Sequence, residues 1–241
     1  MTAPVIDSTE RPISDIGNDP ALVDAAGIRV RECGEPLVEV AEEPGIFLAP
    51  AYHERGVRSA PDTIVVRESV LAGLRRAAAA LPPDTGLLLW DGLRNLETQA
   101  EIVEHFRAQL PEEGREEMVE QYLAPPPASE EDFLALPPPH TTGGAIDLTL
   151  CDSSGNLLEL GADFDEFEEP AWLAYYEERA GAESALYRAR RRALYWAMIG
   201  AGFAPYPWEY WHYEVGTRVS AVFYGLPFAR YGAAVPWVPP E

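Results

Sequence analysis

The sequence contains no lysine; all eighteen of its basic residues are arginine, against forty acids, for a formal charge of −22. A surface of that sign excludes nucleic-acid binding, which needs clustered cations to displace counterions from phosphates. The missing lysine is read as codon bias in preference to adaptation to high salt. Cysteine is nearly absent too: Cys33 and Cys151 are too few for a disulfide framework, and the expectation is a reduced, cytoplasmic protein. No apolar run approaches the roughly 20 residues that cross a bilayer, so no membrane role is expected. The first twenty residues have no apolar stretch behind a basic cluster and do not read as a signal peptide.

What remains is an ordinary globular composition, 47% hydrophobic over 241 residues, enough for one large domain or two small ones. Residues 1–25 are polar and broken by Pro12 and Pro20, which predicts a flexible arm. No compositional break divides residues 26–241, which predicts a single α+β domain: an antiparallel sheet carrying the site, with helices on its other side. Apolar spacing predicts a helix over 67–81 with Val70, Leu71, Leu74 and Ala78 inward, stopped by Pro82 and Pro83. Further helices are expected over 96–109 and over 184–199, the latter with Leu186, Ala193, Leu194, Ala197 and Met198 inward and closed by Gly200 and Gly202. Strands are expected at 86–90, 145–150 and 211–215, with a turn at 152–156 and a return at 157–160. Residues 111–139, rich in acids and proline, read as a surface excursion.

Four histidines are present, and two of them lie in segments with unusual local grammar. In Pro139-His140-Thr141-Thr142-Gly143-Gly144-Ala145-Ile146-Asp147, the histidine and aspartate are seven residues apart, on opposite faces if the strand were unbroken. The intervening glycines allow a tight turn or bulge that brings both side chains to one point. Imidazole and carboxylate are standard zinc ligands; the same residues also suit a loop histidine beside a strand-capping aspartate. In Trp208-Glu209-Tyr210-Trp211-His212-Tyr213, Pro207 just upstream argues for a strand over a helix. This segment is either an aromatic core strand with one buried histidine, or a histidine ligand beside a carboxylate able to take a proton from water. Two histidines, one aspartate and a spare glutamate match the count of a catalytic zinc site: three ligands, an open position and a base. Finally, the apolar strand Leu87-Leu88-Leu89-Trp90 ends in Asp91-Gly92-Leu93-Arg94. Arg94 there could stabilise charge on an attacked carbonyl or form an ordinary ion pair.

These blocks, residues 86–94, 140–150 and 209–213, resemble the D-alanyl-D-alanine dipeptidases, zinc peptidases of the lysostaphin, D-Ala-D-Ala metallopeptidase and hedgehog superfamily. The His-x-x-Gly-x-Ala-x-Asp pattern is complete at His140, Gly143, Ala145 and Asp147, and Glu-x-x-His at Glu209 and His212, with Trp211 before the histidine. The resemblance covers roughly residues 65–215. It implies one zinc per chain held by His140, Asp147 and His212, with Glu209 as general base and Arg94 on the oxyanion. The family's Gly-x-x-Phe-Asp element is found at Gly161-Ala162-Asp163-Phe164-Asp165, which implies that Asp165 receives the free ammonium of a small dipeptide, D-alanyl-D-alanine first among candidates. The sequence departs from the family on the substrate side. Pro138 replaces a serine two before the first histidine, Asp-x-Tyr-Arg-Pro reads Asp91-Gly92-Leu93-Arg94-Asn95, and an early Asn-Phe-Thr-Gly stretch has no counterpart. Those departures leave a zinc hydrolase of another small peptide or amide, in a biosynthetic pathway, as an alternative. A non-catalytic zinc-holding module is a second, and such a module has no need of both Glu209 and Arg94.

Overall fold

The computed structural model of the chain describes residues 8–13, 25, 27–108, 110–113, 115, 119, 126–166 and 168–238. Its strands are β1 (Arg29–Val30), β2 (Leu37–Glu39), β3 (Ile46–Leu48), β4 (Val65–Arg67), β5 (Thr85–Asp91), β6 (Ala145–Asp152), β7 (Ala204–Tyr206), β8 (Glu209–Glu214) and β9 (Phe228–Ala229). Its helices are α1 (Ala51–Glu54), α2 (Glu68–Ala80), α3 (Leu96–Arg107), α4 (Glu130–Ala135), α5 (Ala182–Gly200) and α6 (Arg218–Phe223).

The central sheet runs β3-β5-β6-β8-β7. Its three later pairings are antiparallel, as expected, whereas β3 lies parallel to β5 at one edge. That strand was not anticipated because three residues are too few to display an alternation. In β6, Ile146, Leu148 and Leu150 join the core, pairing with Tyr213 of β8 and with Leu89 and Leu87 of β5. Alternation then leaves Asp147 on the opposite face. Val70, Leu74 and Ala77 of α2 and Ala193, Leu194, Ala197 and Met198 of α5 close the same core, so the two long helices pack together over the sheet.

Several expectations shift in detail. The buried stripe of α2 is Val70, Gly73, Leu74 and Ala77, with Leu71 and Ala78 half-buried on its flank. In α5, Leu186 points to solvent, 47% exposed, in first turns of the helix that are fully buried at no position. The expected helix end at residue 109 lies outside the described residues. The expected return strand at 157–160 is reduced to one bridge between Cys151 and Leu157. About a third of the 111–139 excursion lies outside the described residues; the rest contains α4, whose cap Ser129 accepts from the Asp132 N–H. Of the arm expected over 1–25, the described stretch 8–13 lies against α5: Trp196 Nε1 donates to the Arg11 carbonyl at 2.9 Å, and Ile13 is buried.

Arg191 of α5 is buried, and among the described residues no carboxylate forms an ion pair with it. It donates to three backbone carbonyls, Leu160 at 2.9 Å, Trp172 at 2.6 Å and Pro170 at 2.5 Å, between the rings of Tyr176 and Tyr210. Burial pulls its guanidinium down to about 10, still protonated at neutral pH. Those bonds tie the irregular segment containing Phe164 and Asp165 to the helix. Arg191→Met is expected to destabilise the chain by roughly 3–5 kcal/mol, because three acceptors, one buried and two part-buried, lose their charged donor at once. Lysine at 191 should recover only part, having no planar fork. Urea unfolding checks this, and a loss below about 1 kcal/mol would make the guanidinium dispensable.

Candidate active site

Strand register places the first functional side chains. Asp91 of β5 pairs with Asp147 of β6, and Asp147 pairs with His212 of β8. Directly opposed residues share a face, so these three lie side by side across three strands. A shift between Leu89 and Asp91 lets the end of β5 re-aim its aspartate. His140 arrives by a different route, on a single 3₁₀ turn, Pro139–Thr142, that immediately precedes β6. Gly143 closes that turn at φ +70°, and a Cβ on Gly144 would lie 2.5 Å from the Val215 carbonyl. Both glycines are therefore needed for the chain to reverse tightly enough to set His140 over Asp147. Buried Arg67 holds the turn from below through Nε to the Thr142 carbonyl at 2.8 Å.

Three ligand atoms converge. His140 Nε2 lies 3.2 Å from His212 Nδ1 and 3.3 Å from Asp147 Oδ2, and His212 Nδ1 lies 2.9 Å from Asp147 Oδ1. Ligands about 2.0–2.1 Å from a tetrahedral ion sit roughly 3.3 Å from one another, so the spacing is that of a metal site. Tautomers point the same way. His140 Nδ1 donates to the Gly92 carbonyl at 2.7 Å, and His212 Nε2 donates to Glu214 Oε1 at 3.0 Å. With those protons directed outward, Nε2 of His140, Nδ1 of His212 and a carboxylate oxygen of Asp147 converge on one point, where all three could hold a metal ion. Burial opposes ionisation of Asp147, but His140 and His212 outweigh it and hold the carboxyl well below the usual range. Among the described residues this is the one group of three or more potential ligands that converges; His53 and His105 lie elsewhere.

Glu209 opens β8 at the edge of this group, half-buried. Burial pushes its carboxyl up to about 7, and Asp147 and Asp165 add to the shift while His212 and Arg94 oppose it. Arg94 is buried in an ion pair, Nε and Nη2 reaching Asp91 Oδ2 at 2.9 and 2.7 Å, with Nη1 on Gln99 at 2.7 Å. Its Nη2 also lies 3.5 Å from Asp147 Oδ2 and 3.3 Å from the Tyr52 hydroxyl. Of the two roles left open for Arg94, an ion pair is present, but inside the site and not at the surface. Asp165 accepts from the Tyr52 hydroxyl at 3.1 Å and pairs with Arg55. Glu214, Tyr52 and Arg55 were not anticipated. Glu214 was legible, since it stands two residues after His212 on a strand and so shares its face.

Fold and site together define a metallopeptidase. The D-ala-D-ala dipeptidase family model matches residues 56–229, and the chain belongs to that family. It is 29% identical to the D-alanyl-D-alanine dipeptidase of Synechocystis sp., over 84% of this chain and 91% of the relative. The Enterococcus faecalis protein of the same name is 30% identical over 63% of this chain and 73% of its own. The Escherichia coli one is 41% identical, over 34% of this chain and 39% of its own.

The orienting role of Glu214 generates a prediction. Glu214→Gln keeps the shape but removes the charge that fixes the His212 tautomer, and should weaken divalent-metal affinity about 10–100-fold. Saturating metal should still restore one ion per chain, whereas His140→Ala or His212→Ala should prevent it. Competition against a chromophoric chelator reads both, and an affinity unchanged in Glu214→Gln would contradict the role.

Proposed function

We propose that the chain is a zinc dipeptidase that hydrolyses small dipeptides with a free amino end, D-alanyl-D-alanine first among them. The observation that carries this is the convergence of two imidazoles and one carboxylate, all lone pairs inward, beside a protonatable glutamate and a buried arginine. The relatives' shared name supports the substrate. His140, Asp147 and His212 hold the ion, and two nitrogens with one oxygen suit zinc. When bound, zinc polarises the scissile carbonyl and lowers the pKa of water toward about 7.

The chain's own groups do the rest. Glu209 takes a proton from the attacking water at a carboxylate oxygen and delivers it to the leaving amine as the C–N bond breaks. A carboxyl near neutrality suits both halves of that transfer. Arg94 faces the negative charge that develops on the attacked carbonyl oxygen. Burial works against its own charge, but Tyr52, Asp91 and Asp147 outweigh that and keep the guanidinium protonated. Asp165 receives the substrate's ammonium. A non-catalytic module would have no use for Glu209 and Arg94 placed together, which favours the enzyme. A cytoplasmic location and a part in cell-wall dipeptide metabolism complete the proposal. No helix among the described residues is long and apolar enough to cross a membrane.

Glu209→Gln separates base from ligand. The amide is close in shape but cannot accept the proton, so kcat should fall by about 10⁴ or more. Metal content should stay near one per chain. Zinc stoichiometry and kcat on one preparation decide it; metal lost with activity would make Glu209 a ligand, and activity retained would make it a bystander.

A further inference from the structure

Asp165 does not stand bare in its pocket. Arg55 Nη1 lies 2.5 Å from its Oδ2, and the Tyr52 hydroxyl donates to its Oδ1 at 3.1 Å. A second nitrogen, Arg55 Nη2, donates to the Phe164 carbonyl at 2.9 Å, with the guanidinium 4.9 Å from the Phe164 ring. Tyr52 is in α1 and Arg55 caps its end, so one short helix serves both oxygens of one carboxylate. The Arg55 side chain is 35% exposed and that of Asp165 12%, so the cation comes in from the solvent side and covers the acid.

The two partners differ in freedom. Asp165 has φ +61°, a conformation few non-glycine residues adopt, and its segment is tied down through Arg191. Its carboxylate is largely buried and held by the Tyr52 hydroxyl. Arg55 has a long, half-exposed stem and can turn away. A substrate ammonium arriving at Asp165 therefore meets a carboxylate already neutralised by a tethered guanidinium, and one cation must yield to the other.

We infer that Arg55 is a specificity-determining residue: it competes with the substrate's amino end for Asp165, and so weakens both the binding of free dipeptides and the discrimination against N-acylated ones. This rests on Asp165 being the ammonium receptor proposed above. The competing pair is partly solvent-exposed, so its hold is modest and the effect of removing it is roughly three- to tenfold.

The test measures binding of D-alanyl-D-alanine and of N-acetyl-D-alanyl-D-alanine by calorimetry, in the zinc-loaded full chain carrying Glu209→Gln so that neither is consumed. KM values in the Glu209-containing enzyme are measured in parallel. Arg55→Met should tighten Kd and lower KM for the free dipeptide roughly three- to tenfold, and leave the acetylated one within twofold. Arg55→Lys keeps a cation without the fork and should fall between. Asp165→Asn should weaken the free dipeptide and erase the gain from Arg55→Met. A free-dipeptide Kd that Arg55→Met leaves unchanged or raises overturns the competition, and Asp165→Asn still weakening binding would then leave the ammonium site standing. If Asp165→Asn leaves the free-dipeptide Kd as it was, both are overturned.

Discussion

Two imidazole nitrogens and one carboxylate, buried within hydrogen-bond distance of one another and converging on one point, constitute the interaction on which the rest of the structure depends. Gly92 and Glu214 take the outward protons of His140 and His212, and Asp147 sits between the inward nitrogens. Asp91 and Glu214 add further negative charge around the same point, with Arg94 the guanidinium set against it. Such a cluster is costly in a low-dielectric interior unless a cation joins it. Every element that brings it together can be traced to that need: the cross-strand register, the glycine-closed turn before β6, and Arg67 bracing that turn.

The same centre separates its carboxylates by environment. Asp147, gripped by two imidazoles, is held ionised, while Glu209 is raised to about 7, chiefly by burial and further by Asp147 and Asp165. Two carboxylates pushed in opposite directions suit the different tasks proposed for them: one stays charged, the other can gain and lose a proton near neutrality. Asp165, raised by burial to about 6 in spite of Arg55, forms a third environment, still mostly ionised at neutral pH.

Local grammar made the inner part of this site legible. His140, Asp147, Glu209 and His212 lie in short segments where glycine or proline fixes the backbone, so spacing alone brought them under suspicion. Arg94 was visible as a charge ending an apolar strand, although its burial was not. Groups recruited from a distance left no such trace. Tyr52 and Arg55 reach Asp165 across more than a hundred residues, and no spacing rule connects them. Arg191 escaped notice because a helix stripe is read from apolar residues, and Leu186 was misplaced because periodicity does not say which turns of a helix are covered. The short strands β1, β2, β3 and β9 are likewise set by tertiary pairing, not by their own sequence pattern.

Crystals of the zinc-loaded chain, with anomalous data collected on either side of the zinc edge, test the central claim most directly. One strong peak is expected between His140 Nε2, Asp147 and His212 Nδ1, at about 2.0–2.2 Å from each, with the Glu209 carboxylate outside the coordination shell. A chain that hydrolyses D-alanyl-D-alanine but shows no peak there, or shows one ligated by Glu209 in place of Asp147, would contradict it.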